Sequence, residues 1–483
     1  MNSSPAAQPR PVAEVSSFAE IDAYSRVPLL VLLVSAAVWL FIGSAFAFIA
    51  SLKFHMPGFL ADCSFLTYGR VRPAFTNSFL YGFCVQGGLG VAIWLFIRLG
   101  RNCIVQPGLL TLGASLWNLG LTAGVIGILS GDSTGFETLE IPGYASLMLF
   151  VAYAVIGVLG LLSLHQRVER GLYVSLWFIV AAVFWFPWIY STAQLLLLKF
   201  PVRGVTQAVI AWWYANNLQM VWLGLVGLGL AFYFAPKLAN RQLPSHYLAM
   251  FAFWTLILFA TWGGIPNSAP VPAWLPALST AGTVLLLIPI IAVSLSFWPV
   301  LGKLGPDAST PLRFIRVGVL LFVLAELLQV VSSLLPVSQV TDLTWFVPGR
   351  SLLFSYGFFA MILFGAIYSI MPTLFAGERL CPHLARAHYW LALGGIVLGL
   401  LPLTFGGIIQ GLQIRHAGVP FMDVVKTQLM VIRISTLGDL CFLAGHGVFL
   451  VNVVALVQRF YKAKAATVFA DATAEIKPVE LRP

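Results

Sequence analysis

Few residues in this chain could do chemistry, and they lie far apart in the sequence. Of the seven histidines, His55, His165, His246, His383, His388 and His416 fall in loops or near the ends of apolar runs, and only His446 lies deep inside one. Asp439 precedes His446 by two helical turns, so the two share a helix face. An acid and an imidazole buried in an apolar helix could hold or pass a proton. The plainer alternative is a mutually satisfied pair facing a neighbouring helix or a partner. Glu326 and Gln329 form a second polar patch, with a proton-relay or a purely structural role. Tyr214, Asn216, Asn217 and Gln219 cluster beside Trp212 and Trp213, as in a polar cavity holding water or a small molecule. The cysteines Cys63, Cys84, Cys103, Cys381 and Cys441 form no C-x-x-C or C-x-x-C-H motif. Covalent c-type haem, thiolate metal sites and a disulfide framework are therefore not expected.

These residues must be positioned by helices in lipid. The 483 residues are 59% hydrophobic and only 9% charged, and mean hydropathy is +0.92. Soluble domains carry roughly 25% charged residues. The apolar runs are long and unbroken, which excludes a membrane barrel and predicts an all-α membrane protein. Twelve transmembrane helices are expected, at 28–52, 73–99, 105–129, 143–165, 172–198, 205–235, 245–265, 274–301, 311–335, 350–376, 387–412 and 433–461. Prolines such as Pro107, Pro142, Pro201, Pro236, Pro266, Pro336 and Pro372 punctuate the ends, and Pro187 and Pro289 predict kinks. A polar segment (1–27), the membrane domain (28–461) and a disordered cytoplasmic tail (462–483) complete the division. The first segment lacks the layout of a cleavable signal, so the first span is read as an uncleaved anchor.

The net charge is +10. The basic residues Arg98, Arg101, Arg167, Arg170, Lys237, Arg241, Lys303, Arg379 and Arg386 fall in alternate loops, and Arg459, Lys462 and Lys464 follow the last span. The loops at 130–142, 266–273 and 336–349 hold no lysine or arginine, and the first holds Asp132, Glu137 and Glu140. This is the positive-inside pattern and not a nucleic-acid surface. It predicts a multi-pass protein of a bacterial inner membrane with both termini cytoplasmic.

Local strings add a resemblance. AEIDAYSR leads into the first span, TYGRVRPAFTN opens the second, and WNLGLTAGVIGILSGDSTGFE covers the third and its loop. LYVSLWFIVAAVFWFPWIYS, TQAVIAWWYANN, FYFAPK, AIYSIMP, HYWLAL and GGIIQGL follow in order. Together they resemble the catalytic subunit of cbb-type haem–copper oxidases and, more distantly, the large subunit of nitric oxide reductase. The resemblance implies a haem–copper oxidase subunit I-like bundle with two haems and one copper, reducing oxygen and moving protons. In that family six histidines hold the metals, and a tyrosine on the seventh helix joins the chemistry.

Those positions carry other residues here. Phe75 stands where the second span would ligate the low-spin haem. Asn216 takes a copper-ligand position in the sixth span. Pro266 and Asn267 replace a histidine pair, and Ala260 replaces the tyrosine. Arg350 and Leu352 occupy the places of the two haem ligands in the tenth span. Imidazole is the natural ligand for haem iron and copper. The expected reading is therefore a non-catalytic, haem- and copper-free subunit or assembly and regulatory paralogue, with membrane lipid and other respiratory oxidase subunits as partners. An active cbb-type oxidase is the first alternative. A transporter or channel reusing the bundle is the second. Asp439, His446, Glu326 and Arg350 form the candidate intramembrane polar site.

Overall fold

A computed structural model describes residues 17–302, 305 and 308–475. Among the described residues all regular structure is helical. The principal helices are α1 (Phe18–Lys53), α2 (Tyr68–Gly100), α3 (Pro107–Ser130), α4 (Gly143–His165), α5 (Val174–Lys199) and α6 (Thr206–Ala239). They continue with α7 (His246–Ala260), α8 (Trp274–Leu301), α9 (Thr310–Ser333), α10 (Phe346–Leu374), α11 (Pro382–Ile414) and α12 (Phe421–Glu475). Eleven of these are long and apolar enough to cross a membrane. The exception is α7. Its fifteen residues rise about 22 Å, short of the roughly 30 Å of hydrocarbon. The chain beyond Ala260 is irregular, with Gly264 at φ +100° packed against Asn216. A Cβ there would sit 2.4 Å from that of Asn216, so only glycine fits.

Several boundaries differ from those expected of the sequence, among them the start of α12, at Phe421 instead of 433. α1 begins at Phe18, not near Pro28, and encloses that proline. Ser17 and Glu20 form a capping box at its start. Asp22 is met by Arg98 at 3.1 Å and by the Trp94 indole at 3.3 Å, so this polar stretch is helical because each charge has a partner. At the other end, α12 continues to Glu475 through residues expected to be disordered. The alanine-rich run from Ala463 favours helix by propensity. Residues 476–483, Lys303 and residues 1–16 lie outside the described part.

Three helices form the core of the bundle. The apolar stretches of α2, α6 and α10 are 94–100% buried, whereas those of the other long helices are 39–56% buried and show apolar faces outward. Each core helix widens into π-helical turns near its middle, at Ser78–Val85, Asn217–Leu223 and Leu353–Ala360. Such turns interrupt the regular ladder and re-aim side chains, and they concentrate at functional sites. α11 and α12 pack closely along small residues. A Cβ on Gly438 would come within 2.9 Å of the Gly399 nitrogen, so that crossing depends on the missing side chain.

Candidate functional cavity

The π-helical turns begin within three residues after positions that the resemblance singles out: Phe75 on α2, Asn216 on α6, and Arg350 and Leu352 on α10. All four side chains line one cavity of about 340 Å³. Asp439 and Gln329 also line it. At the end of the bundle bearing the 131–142 loop, the exposed residues Tyr68, Arg72 and Glu137 border it.

One wall is aromatic. Phe75 and Phe79 lie 6.1 Å apart between centroids, Phe79 stacks on Tyr356 at 4.1 Å, and Tyr356 stacks on Phe442 at 4.5 Å. His446 extends the column, nearly parallel to Phe442 at 5.7 Å. The rings are offset-stacked and fill the space between α2, α10 and α12 by dispersion and ring quadrupole contacts.

Hydrogen bonds to protein engage several of the positions that the resemblance singles out. The Asn216 amide donates to the Ala260 carbonyl at 2.8 Å, so the α6 position is tied to the α7 position. Asn267 donates to the Ser333 carbonyl and to Ser338 Oγ, each at 2.9 Å, and accepts from Thr280 at 3.2 Å. Pro266 sits in the same turn, its carbonyl accepting from the Ala269 amide. Phenylalanine, leucine, proline and alanine side chains have no lone pair for a metal. A guanidinium is a cation, and the Asn216 amide is already engaged. This donor set does not fit haem iron or copper at these positions.

The polar residues surround the cavity in an arrangement not expected from the sequence. Arg350 is half-buried and donates to Ser332 Oγ at 2.8 Å. Asp342 and Glu326 act on it through space, but neither is in ion-pair contact among the described residues. Glu326 is 1% exposed, and neither carboxyl oxygen has a hydrogen-bond partner in the protein. Asp439 and His446 share a face of α12 without pairing with each other. His446 instead meets α1, its Nδ1 contacting Ser44 Oγ at 2.6 Å. Near Asp439, one helical turn away on α12, Thr436 Oγ1 contacts Ser51 Oγ of α1 at 2.7 Å. α1 and α12 run side by side, and the two serines, seven residues apart, meet α12 at both contacts.

His388, expected near a helix end and in contact with water, is fully buried. Its Nδ1 lies 3.0 Å from the Tyr368 hydroxyl, and its ring lies 6.0 Å from that of His446. The signal missing from the sequence was the partner, which sits on a different helix.

The 131–142 loop is stapled over the cavity. Tyr81 donates to the Thr138 carbonyl at 2.6 Å and shares a 2.6 Å contact with the Tyr214 hydroxyl. Asn77 donates to Glu140 at 2.9 Å. Glu140 is 6% exposed, and burial pushes its carboxyl from the ordinary 4.5 up to about 7.

Comparison with known proteins agrees over nearly the whole chain. The family described as cytochrome c and quinol oxidase polypeptide I matches residues 27–441. A cytochrome c oxidase subunit 1 homolog of Azorhizobium caulinodans is 25% identical, covering 95% of this chain and 86% of that protein. The cbb3-type cytochrome c oxidase subunit CcoN1 of Stutzerimonas stutzeri is 24% identical, over 88% of this chain and 93% of that one. A cytochrome c oxidase subunit 1 of Rhodobacter capsulatus is 24% identical over 88% and 84%. With its helical bundle, eleven candidate membrane spans and a match across most of its length, the chain belongs to the cytochrome c and quinol oxidase polypeptide I family.

Proposed function

We propose that this chain is a non-catalytic oxidase subunit I-like protein that binds neither haem nor copper and serves a respiratory oxidase as a structural, assembly or regulatory subunit. The observation that carries this reading is the donor set: Phe75, Asn216, Pro266, Asn267, Arg350 and Leu352 stand at the ligand positions, and Ala260 at the tyrosine position. Support comes from the hydrogen bonds that engage Asn216 and Asn267 within the protein, and from the ring column along α2, α10 and α12. The polar groups Asp439, His446, Glu326 and Arg350 then serve packing and ligand contacts instead of electron-coupled proton transfer.

The proposed setting is a bacterial inner membrane, with both termini cytoplasmic and the 131–142 loop on the opposite face. The basic residues in alternate loops support this orientation. The proposed division is a membrane domain that starts with α1 at Phe18, followed after the last span by a cytoplasmic extension into which α12 continues. Other oxidase subunits are the proposed partners, and the outward apolar faces of the peripheral helices offer surface for them and for lipid.

An optical spectrum of the purified protein, with iron and copper analysis of the same sample, tests the reading. The expected result is no Soret band and no stoichiometric metal. A Soret band equivalent to about one haem per chain would overturn it in favour of an active cbb-type oxidase, which similarity along the whole chain supports.

A further inference from the structure

The cavity is lined by apolar and polar side chains, and away from the rim Arg350 is the cation among them; Asn216, Gln219, Gln329, Ser351 and Asp439 are among the other polar groups there. Arg350 carries a planar fork of five N–H donors, and the structure engages it with one protein acceptor, Ser332 Oγ. It is in ion-pair contact with no carboxylate among the described residues. A guanidinium half-buried beside rings and leucines is poorly hydrated, and a second, two-pronged acceptor would satisfy it. Carboxylate geometry matches that fork.

Part of the wall is apolar: Leu352, Phe75, Phe79, Tyr356, Leu403 and Phe442 line the same space, while Gln219 and Ser351, bonded to each other at 2.9 Å, line it beside Arg350 in sequence. A volume of about 340 Å³ falls in the range of small-molecule sites, which are typically apolar clefts with a few placed polar groups. Access runs past Arg72, which is exposed at the rim and stacks its guanidinium over Phe75 at 5.2 Å. Glu137 borders the same end, so the mouth carries charges of both signs and the selection of an anion falls to Arg350 inside. Glu137 at the rim and Asp439 on the α1–α12 side are the acidic groups on the lining, and Glu326 and Asp342 act on Arg350 through space without ion-pair contact, so its N–H fork is left for the carboxylate of a bound anion.

We propose that this cavity is a binding site for a small organic anion, a carboxylate on an apolar ring or chain, with Arg350 receiving the carboxylate and the Phe75–Phe79–Tyr356 wall receiving the body. The proposal rests on the haem-free reading, because a haem would compete for the same space. Binding would give the bundle a ligand-dependent stability, since whatever binds the folded state alone stabilises it.

The test is calorimetric titration of the full-length protein in detergent micelles, with empty micelles as the blank. The probes are 1-naphthoate, the uncharged 1-naphthalenemethanol and acetate. The expected result is saturable binding of naphthoate near one per chain, about tenfold tighter than the alcohol, with acetate weaker than either because it lacks the apolar body. Arg350→Gln is expected to remove the preference for naphthoate over the alcohol. Leu352→Trp, which fills the wall without changing charge, is expected to weaken both aromatic probes. Equal binding of naphthoate and the alcohol by the unmodified protein, or no saturable heat with either, would overturn the proposal even if Arg350→Gln fails to fold. A preference unchanged in a folded Arg350→Gln variant would overturn the role of that residue. The Soret absorbance of the same sample is read first. Haem in the sample refutes the haem-free reading, whereas a haem-free sample indifferent to naphthoate refutes the anion site alone.

Discussion

Glu140→Gln should flatten a pH dependence built into the 131–142 loop. Glu140 is 6% exposed and accepts from Asn77 at 2.9 Å. Burial disfavours its charged form, and the Asn77 hydrogen bond offsets only part of that cost, which leaves the carboxyl at about 7 instead of 4.5. A displacement of this size corresponds to about 3 kcal/mol between the two protonation states. The sign follows from linkage. The folded carboxyl holds its proton more tightly than the unfolded one, so its contribution to stability is full below pH 4.5 and declines as the pH rises through 7. A glutamine keeps an acceptor for Asn77 and cannot ionise. Relative to the unmodified protein, the variant should therefore gain about 3 kcal/mol between pH 4.5 and pH 8. Denaturant titrations in mixed micelles, followed by tryptophan fluorescence at both pH values, measure the difference. Parallel stability curves for the two proteins would show that the carboxyl ionises freely in the folded state, and the argument from burial would fail.

Two further outcomes can be checked on the same preparation. A double-mutant cycle on Ser44→Ala and His446→Leu should give a coupling of about 1 kcal/mol or more, because both partners of the 2.6 Å contact are buried; additive losses would mean that the contact is incidental. Membrane-impermeant maleimide should label Cys63 in intact spheroplasts and Cys381 only after the membrane is opened, while fully buried Cys84 stays unlabelled in both. The reverse order for Cys63 and Cys381 would invert the proposed orientation.

The helical bundle was legible because lipid demands long apolar runs, and eleven such helices are present. α7 was overestimated because apolar character continues past Ala260, while the backbone turns aside at Gly264 to meet Asn216. The start of α1 was missed because Glu20, Asp22 and Arg26 look like solvent-facing residues until Arg98 and Trp94 are seen beside Asp22. Flanking strings single out Phe75, Asn216, Arg350 and Leu352 one by one, since residue identity is local. That these four line one cavity with Asp439 and Gln329 could not be read from spacing, nor could the burial of His388, because each depends on partners distant in sequence. Asp439 and His446 illustrate the same limit. Spacing placed them on one face, but it could not reveal that α1 supplies Ser44 to His446 and Ser51 to Thr436 beside Asp439.

The serine ladder between the first and last helices also bears on how the chain is made. Ser44 and His446 are separated by 402 positions. Ribosomal synthesis at about 5–20 residues per second leaves α1 in the bilayer for some tens of seconds before its counterpart emerges. During that interval its hydroxyls can turn back only to their own backbone, as Ser44 does to the Leu40 carbonyl. The ends of the polypeptide thus clasp last, and a nascent chain halted before α12 keeps an open seam along α1 that insertases and membrane proteases can recognise.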